Sequence, residues 1–82
     1  MFYELTRYDQ SSKVKLDACI LSRVELLDKL NTILGYDPKQ RIAVKNKIDL
    51  IDSEEIDDIW FESTYSSLND KYKFRYELKK FK

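Results

Sequence analysis

The chain has no histidine, and its 82 residues include one glycine, one proline, one cysteine and one tryptophan. Each shortage excludes something. Without histidine, the usual general base, the commonest metal ligand and an imidazole pH switch are all missing. Gly35 alone cannot build a glycine-rich phosphate loop or a nucleophile elbow. Cys19 alone makes neither an internal disulfide nor a thiolate zinc site, and a lone thiol suits a reducing cytoplasm. Apolar runs such as Ala18 to Leu21 are too short to span a membrane. Glu4, Thr6 and Arg7 interrupt the N-terminal stretch, which is therefore not read as a signal peptide. Excess charge of one sign is also lacking, since 15 Lys and Arg balance 15 Asp and Glu. Catalysis would have to rest on carboxylates, lysine, tyrosine or Cys19, and no catalytic spacing joins them. The expectation is a protein that is not an enzyme and uses neither cofactor nor metal.

What is present suffices for a fold. Hydrophobic residues make up 43%, including six Tyr and four Phe, and that supports one small globular domain over residues 1–82. The best-specified stretch runs from Leu21 to Gly35. Ser22 and Glu25 have capping-box spacing, and Leu21 and Leu26 that of a hydrophobic staple. Val24, Leu26, Leu27, Leu30, Ile33 and Leu34 cover one broad side, so the spacing predicts a helix over 22–34 lying on a core. Gly35 stands where a left-handed C-cap is expected, and Pro38 discourages continuation.

Strands are expected on both sides of this helix. Phe2, Tyr3, Leu5 and Tyr8 suggest one over 2–8, and Asp9–Ser12 a turn. Residues 13–20 alternate, which puts Val14, Leu16, Ala18 and Ile20 on the core side and Lys13, Lys15 and Asp17 outside. Asp37-Pro38 resembles a helix start. Yet Ile42, Val44, Ile48 and Leu50 alternate with polar residues, so 41–51 is read as a strand after at most one helical turn. A short turn or helix capped by Ser53 should follow, then a strand over 59–66 and a loop over 66–70. In the last strand, 71–80, Tyr72, Phe74, Tyr76 and Leu78 face the core. The expected fold is α+β: a two-layer ββαβββ order with one helix on a mainly antiparallel sheet.

The charges separate along the chain. Glu54, Glu55, Asp57, Asp58 and Glu62 form an acidic middle around Trp60. Lys71, Lys73, Arg75 and Lys79 make the end basic. The acidic run does not fit an EF-hand loop; it is either a solvated turn or a knob that docks on a protein partner. Trp60 fits the core on helical spacing and an exposed hot spot on strand spacing. The leading expectation is a small protein-binding domain that contacts a larger partner through Glu54, Glu55, Asp57, Asp58, Trp60 and Glu62. Its size and inventory suit a phage or mobile-element inhibitor of a host nucleic-acid-handling enzyme, of the anti-CRISPR or anti-restriction type. The alternative is a nucleic-acid-binding module using Lys71, Lys73, Arg75 and Lys79. Alternation weighs against it, because it sends that strand's aromatics to the face opposite its cations. A further alternative is a structural or assembly factor that forms homo-oligomers through an edge strand. No membrane association is expected, and the chain should be a monomer or homodimer.

Overall fold

In the computed structural model, which describes residues 1–35, 37–66, 68 and 71–82, the expected helix is α1, Arg23–Leu34. Its capping box closes: the Glu25 amide donates to Ser22 Oγ (3.3 Å), and the Ser22 amide donates to Glu25 Oε1 (3.1 Å). Leu26, Leu30 and Leu34 form its buried stripe. Gly35 corrects the expected left-handed cap, because its φ of −60° is right-handed. The glycine is needed for space instead, since an added Cβ would run into the Asn31 carbonyl oxygen.

The other elements are β1 (Phe2–Asp9), β2 (Lys15–Ser22), α2 (Pro38–Asp52), β3 (Asp58–Ser66) and β4 (Lys71–Phe81). The four strands form one sheet of order β2-β1-β4-β3, and every neighbouring pair is antiparallel. The α+β class and the helix-on-antiparallel-sheet layout hold. The order is ββααββ, because the strand expected over 41–51 is the helix α2. Capping outweighs alternation there. Asp37 accepts from the Gln40 amide (3.1 Å), and Pro38 occupies the first turn. Val44, Ile48 and Ile51, spaced four and three apart, are buried, while Ile42 and Leu50 are exposed. Those two exposed residues created the apparent period of two. Ser53 is the C-cap of α2 and does not start a new helix. The expected 66–70 loop falls largely on residues 67, 69 and 70, outside the described residues.

The core lies between one sheet face and both helices. Tyr3 and Leu5 of β1, Ile59 and Phe61 of β3, and Tyr76 and Leu78 of β4 join the buried leucines and isoleucines of α1 and α2. Phe61 and Tyr76 stack with ring centroids 5.0 Å apart. In β2 the expected parity is reversed. Cys19 and Leu21 pack against the core, whereas Val14, Leu16 and Ile20 are exposed. The reason lies in the staple. Leu21 leads into α1, so the helix must cover the side on which Leu21 points, and neighbouring strand residues point to opposite sides.

The polar anchor of this layer joins three elements. The Tyr3 hydroxyl donates to one Asp52 carboxylate oxygen, and Arg23 donates to the other. Arg23 also reaches Asp49 Oδ1 at 2.9 Å. This arrangement ties β1 and the start of α1 to the end of α2. It also neutralises Asp52, an acid placed at the unfavourable end of a helix dipole.

Candidate interaction surface

The sheet face away from the helices carries the candidate site. Antiparallel register places Trp60 opposite Glu77, Glu62 opposite Arg75, and Tyr8 opposite Arg75 on the other side. Directly paired residues share a face. Trp60 therefore stands on the open side with Arg75 diagonal to it. The Arg75 guanidinium lies 4.4 Å from the Trp60 ring centroid. Tyr8 reaches across β4 to Trp60, with centroids 5.7 Å apart. Trp60 stays 40% exposed, so its ring is held in place and still offers contact area. Between these groups lies a recess of about 370 Å³, lined also by Asp9, Gln10, Lys13 and Glu62. Asp9 is partly engaged by its own turn, since its Oδ1 accepts from the Ser11 amide (2.9 Å).

The structure separates the predicted acidic site residues. Glu54 and Glu55 lie in the turn that closes α2. Glu54 has φ 63°, its amide bonds the Ile51 carbonyl, and the Glu55 amide bonds that of Leu50. This is the Schellman pattern, with a glutamate where glycine is usual. Glu54 also pairs with Lys80 (3.5 Å), and Glu55 accepts from Ser53 Oγ (3.0 Å). Asp57 borders a hollow shared with Lys79 and Lys80. Asp58 sits opposite Lys79, and Lys79 also pairs with Glu4 (3.6 Å). Only Trp60 and Glu62 of the predicted set stand beside the aromatic recess.

The predicted cations do share a face with aromatics. Lys71, Lys73, Arg75 and Lys79 occupy the open side of β4, and Trp60 and Tyr8 come to that side from the neighbouring strands. The aromatics that join the β4 cations come from β1 and β3, so alternation within β4 does not separate the two groups. No protein-family model matches the chain, and neither a curated protein nor a solved structure is significantly similar to it.

Tyr8, Asp9, Gln10 and Lys13 are the residues of the site that sequence reasoning missed. The parity of β1 could have put Tyr8 opposite Tyr3 and Leu5. Nothing local announced that β1 lies beside β4. Elsewhere, burial raises the Tyr3 and Tyr76 hydroxyl pKa values above the ordinary tyrosine value. Both groups face the helix layer, away from the recess. Among the described residues no three metal-binding side chains converge, and no helix is long and apolar enough to cross a membrane.

Proposed function

We propose that this chain is a small non-catalytic protein-binding domain whose contact surface is the open sheet face around Trp60. One observation carries this reading: Trp60, Tyr8 and Arg75 form a mutually supported cluster on a face that no helix covers. Tryptophan, tyrosine and arginine are the residue types that dominate binding hot spots, and rigid rings lose little entropy on docking. Mixed charges around the cluster, with Glu62 and Glu77 beside Arg75 and Lys73, fit a protein partner, because acids repel a phosphate backbone. In this reading the domain acts by covering a surface of a larger partner, and inhibition of a nucleic-acid-handling enzyme is the finer form of the proposal. The test is capture of the partner from the native host, followed by affinity measurement with variants. Trp60→Ala should weaken binding about thirtyfold or more, as loss of a hot spot of about 2 kcal/mol requires. Equal affinity in a folded Trp60→Ala variant would overturn the assignment.

A second reading has its own observation: cations and aromatics share the open face. A single strand of nucleic acid could stack on Trp60 while Lys71, Lys73 and Arg75 meet its phosphates. It predicts a gel shift at low salt that weakens steeply as salt rises. The absence of any shift at low salt would reject it.

A further inference from the structure

The edge strand β2 is the least finished part of the molecule. On the open face Ile20 is 44% exposed, and Leu16, in the bulge, is 45% exposed. On the other, Cys19 and Leu21 are only partly buried against the core. A strand apolar on both faces is the pattern of an interior strand, and here it stands at a sheet edge. The opposite edge is treated differently. Gln40 of α2 donates its side-chain amide to the Glu62 carbonyl of β3 at 2.6 Å. One edge is thus partly blocked, and the β2 edge carries no such bond among the described residues.

We propose that β2 pairs with β2 of a second copy of this chain, antiparallel about a two-fold axis near Cys19, to make one continuous eight-stranded sheet. This interface is separate from the Trp60 surface. Its regular stretch runs from Asp17 to Ser22, between the bulge at Arg7/Tyr8 and the start of α1. Centring on Cys19 pairs Ala18 with Ile20 of the copy on the open face, and no like charges meet. Centring on Asp17 would set two aspartates against each other, which is unfavourable. Asp17 is already neutralised by Arg7 at 2.7 Å, so it enters the interface paired.

The helix side agrees. A groove of about 700 Å³ separates β2 from α1, and Asp17, Cys19, Leu21, Glu25, Asp28 and Lys29 are among its walls. At roughly 3.3 Å per strand residue and 1.5 Å per helix residue, Cys19 stands level with Asp28 and Lys29. A two-fold axis there brings Asp28 toward Lys29 of the copy, twice, and half-buried Cys19 and Leu21 close the groove from both sides. The helix side is thus complementary to itself in charge, which singles out a second copy as the occupant.

Sedimentation equilibrium from about 1 μM to about 1 mM, the range in which a weak to moderate dimer dissociates, tests the proposal. The native chain should reach twice the single-chain mass. Ile20→Lys and Ala18→Lys, both at positions exposed in one copy, should stay at single-chain mass with an unchanged circular-dichroism spectrum. Oxidation of the native dimer with diamide should join Cys19 to Cys19 as a disulfide cross-link, because directly opposed strand residues lie within disulfide reach. A single-chain mass across the whole range overturns the dimer. A dimer that survives both lysine variants overturns the β2 edge, and a dimer that does not cross-link overturns the Cys19-centred register.

Discussion

At the residue scale, several side chains do work that their identity does not advertise. Glu54 adopts a left-handed conformation that costs a residue with a Cβ roughly 1–2 kcal/mol. Its pair with Lys80 is exposed on the acid side and offsets little of that. Glu54→Gly should therefore raise stability by about 1 kcal/mol, seen as a higher urea midpoint. If partner capture is unaffected, Glu54 belongs to the cap and not to the contact surface. Gly35 runs the other way. Glycine to alanine at a right-handed φ ordinarily stabilises by reducing the freedom of the unfolded chain. Here the Asn31 carbonyl blocks the added methyl, so Gly35→Ala should lower the urea midpoint. Tyr3 and Tyr76 carry a pH prediction. Both are raised above the model-peptide value of 10.0, chiefly by burial. The folded chain holds protons that the unfolded chain releases, so this part of the stability is complete below pH 10.0 and is lost as pH rises through the folded values. Urea midpoints measured above pH 10.0 should fall less steeply in Tyr76→Phe than in the native chain.

At the scale of elements, caps decided what periodicity left ambiguous. Ser22→Ala removes one half of the α1 box and should cost about 1 kcal/mol. Glu25 adds a pH signature. Its carboxyl lies below the ordinary value because the Ser22 amide, and then the hydroxyl, bond the charged form. That contribution is present above the ordinary carboxyl range and is lost as pH falls through the folded value. In α2, Ile48→Ala should cost about 2–5 kcal/mol, because Ile48 is fully buried. Ile42→Ala and Leu50→Ala should cost far less, because both side chains are exposed. Similar costs at all three positions would contradict a helix here. The α1 helix, the last two strands and the turn before β1 meets β2 were legible because each depends on nearby residues. The helix α2 was half legible: Asp37 and Pro38 announced it, while Ile42 and Leu50 disguised it. The parity of β2 was misread, because regular alternation hid the signal that Leu21 carried. A residue that staples the helix cannot share a face with its neighbour Ile20.

At the scale of the whole molecule, the separated charges of the sequence come together. The hairpin of β3 and β4 sets Asp58 against Lys79 and Glu62 against Arg75, while Lys80 meets Glu54. An acidic middle and a basic end are thus brought side by side on one surface, and steering by opposed patches weakens accordingly. The same hairpin, with β1 laid on its other side, assembles Tyr8, Arg75 and Trp60 from three strands. Residues 8, 60 and 75 become one cluster only through the order β2-β1-β4-β3.

By itself, the sequence determined the elements whose causes are local: the capped helix α1 and the alternating strands of the closing hairpin. Hydrogen bonds within one turn and side-chain parity act over a few residues, so they can be read in order along the chain. The tertiary structure decided which strands became neighbours, which apolar residues of β2 were left uncovered, and where Trp60 found its companions. Those outcomes depend on contacts between segments tens of residues apart, and the burial of one shared core selects them together. The opening stretch of the helix, Leu21 to Leu26, belongs to both accounts. Its local signals set the start of α1, and through Leu21 they chose the face of β2 that meets the core.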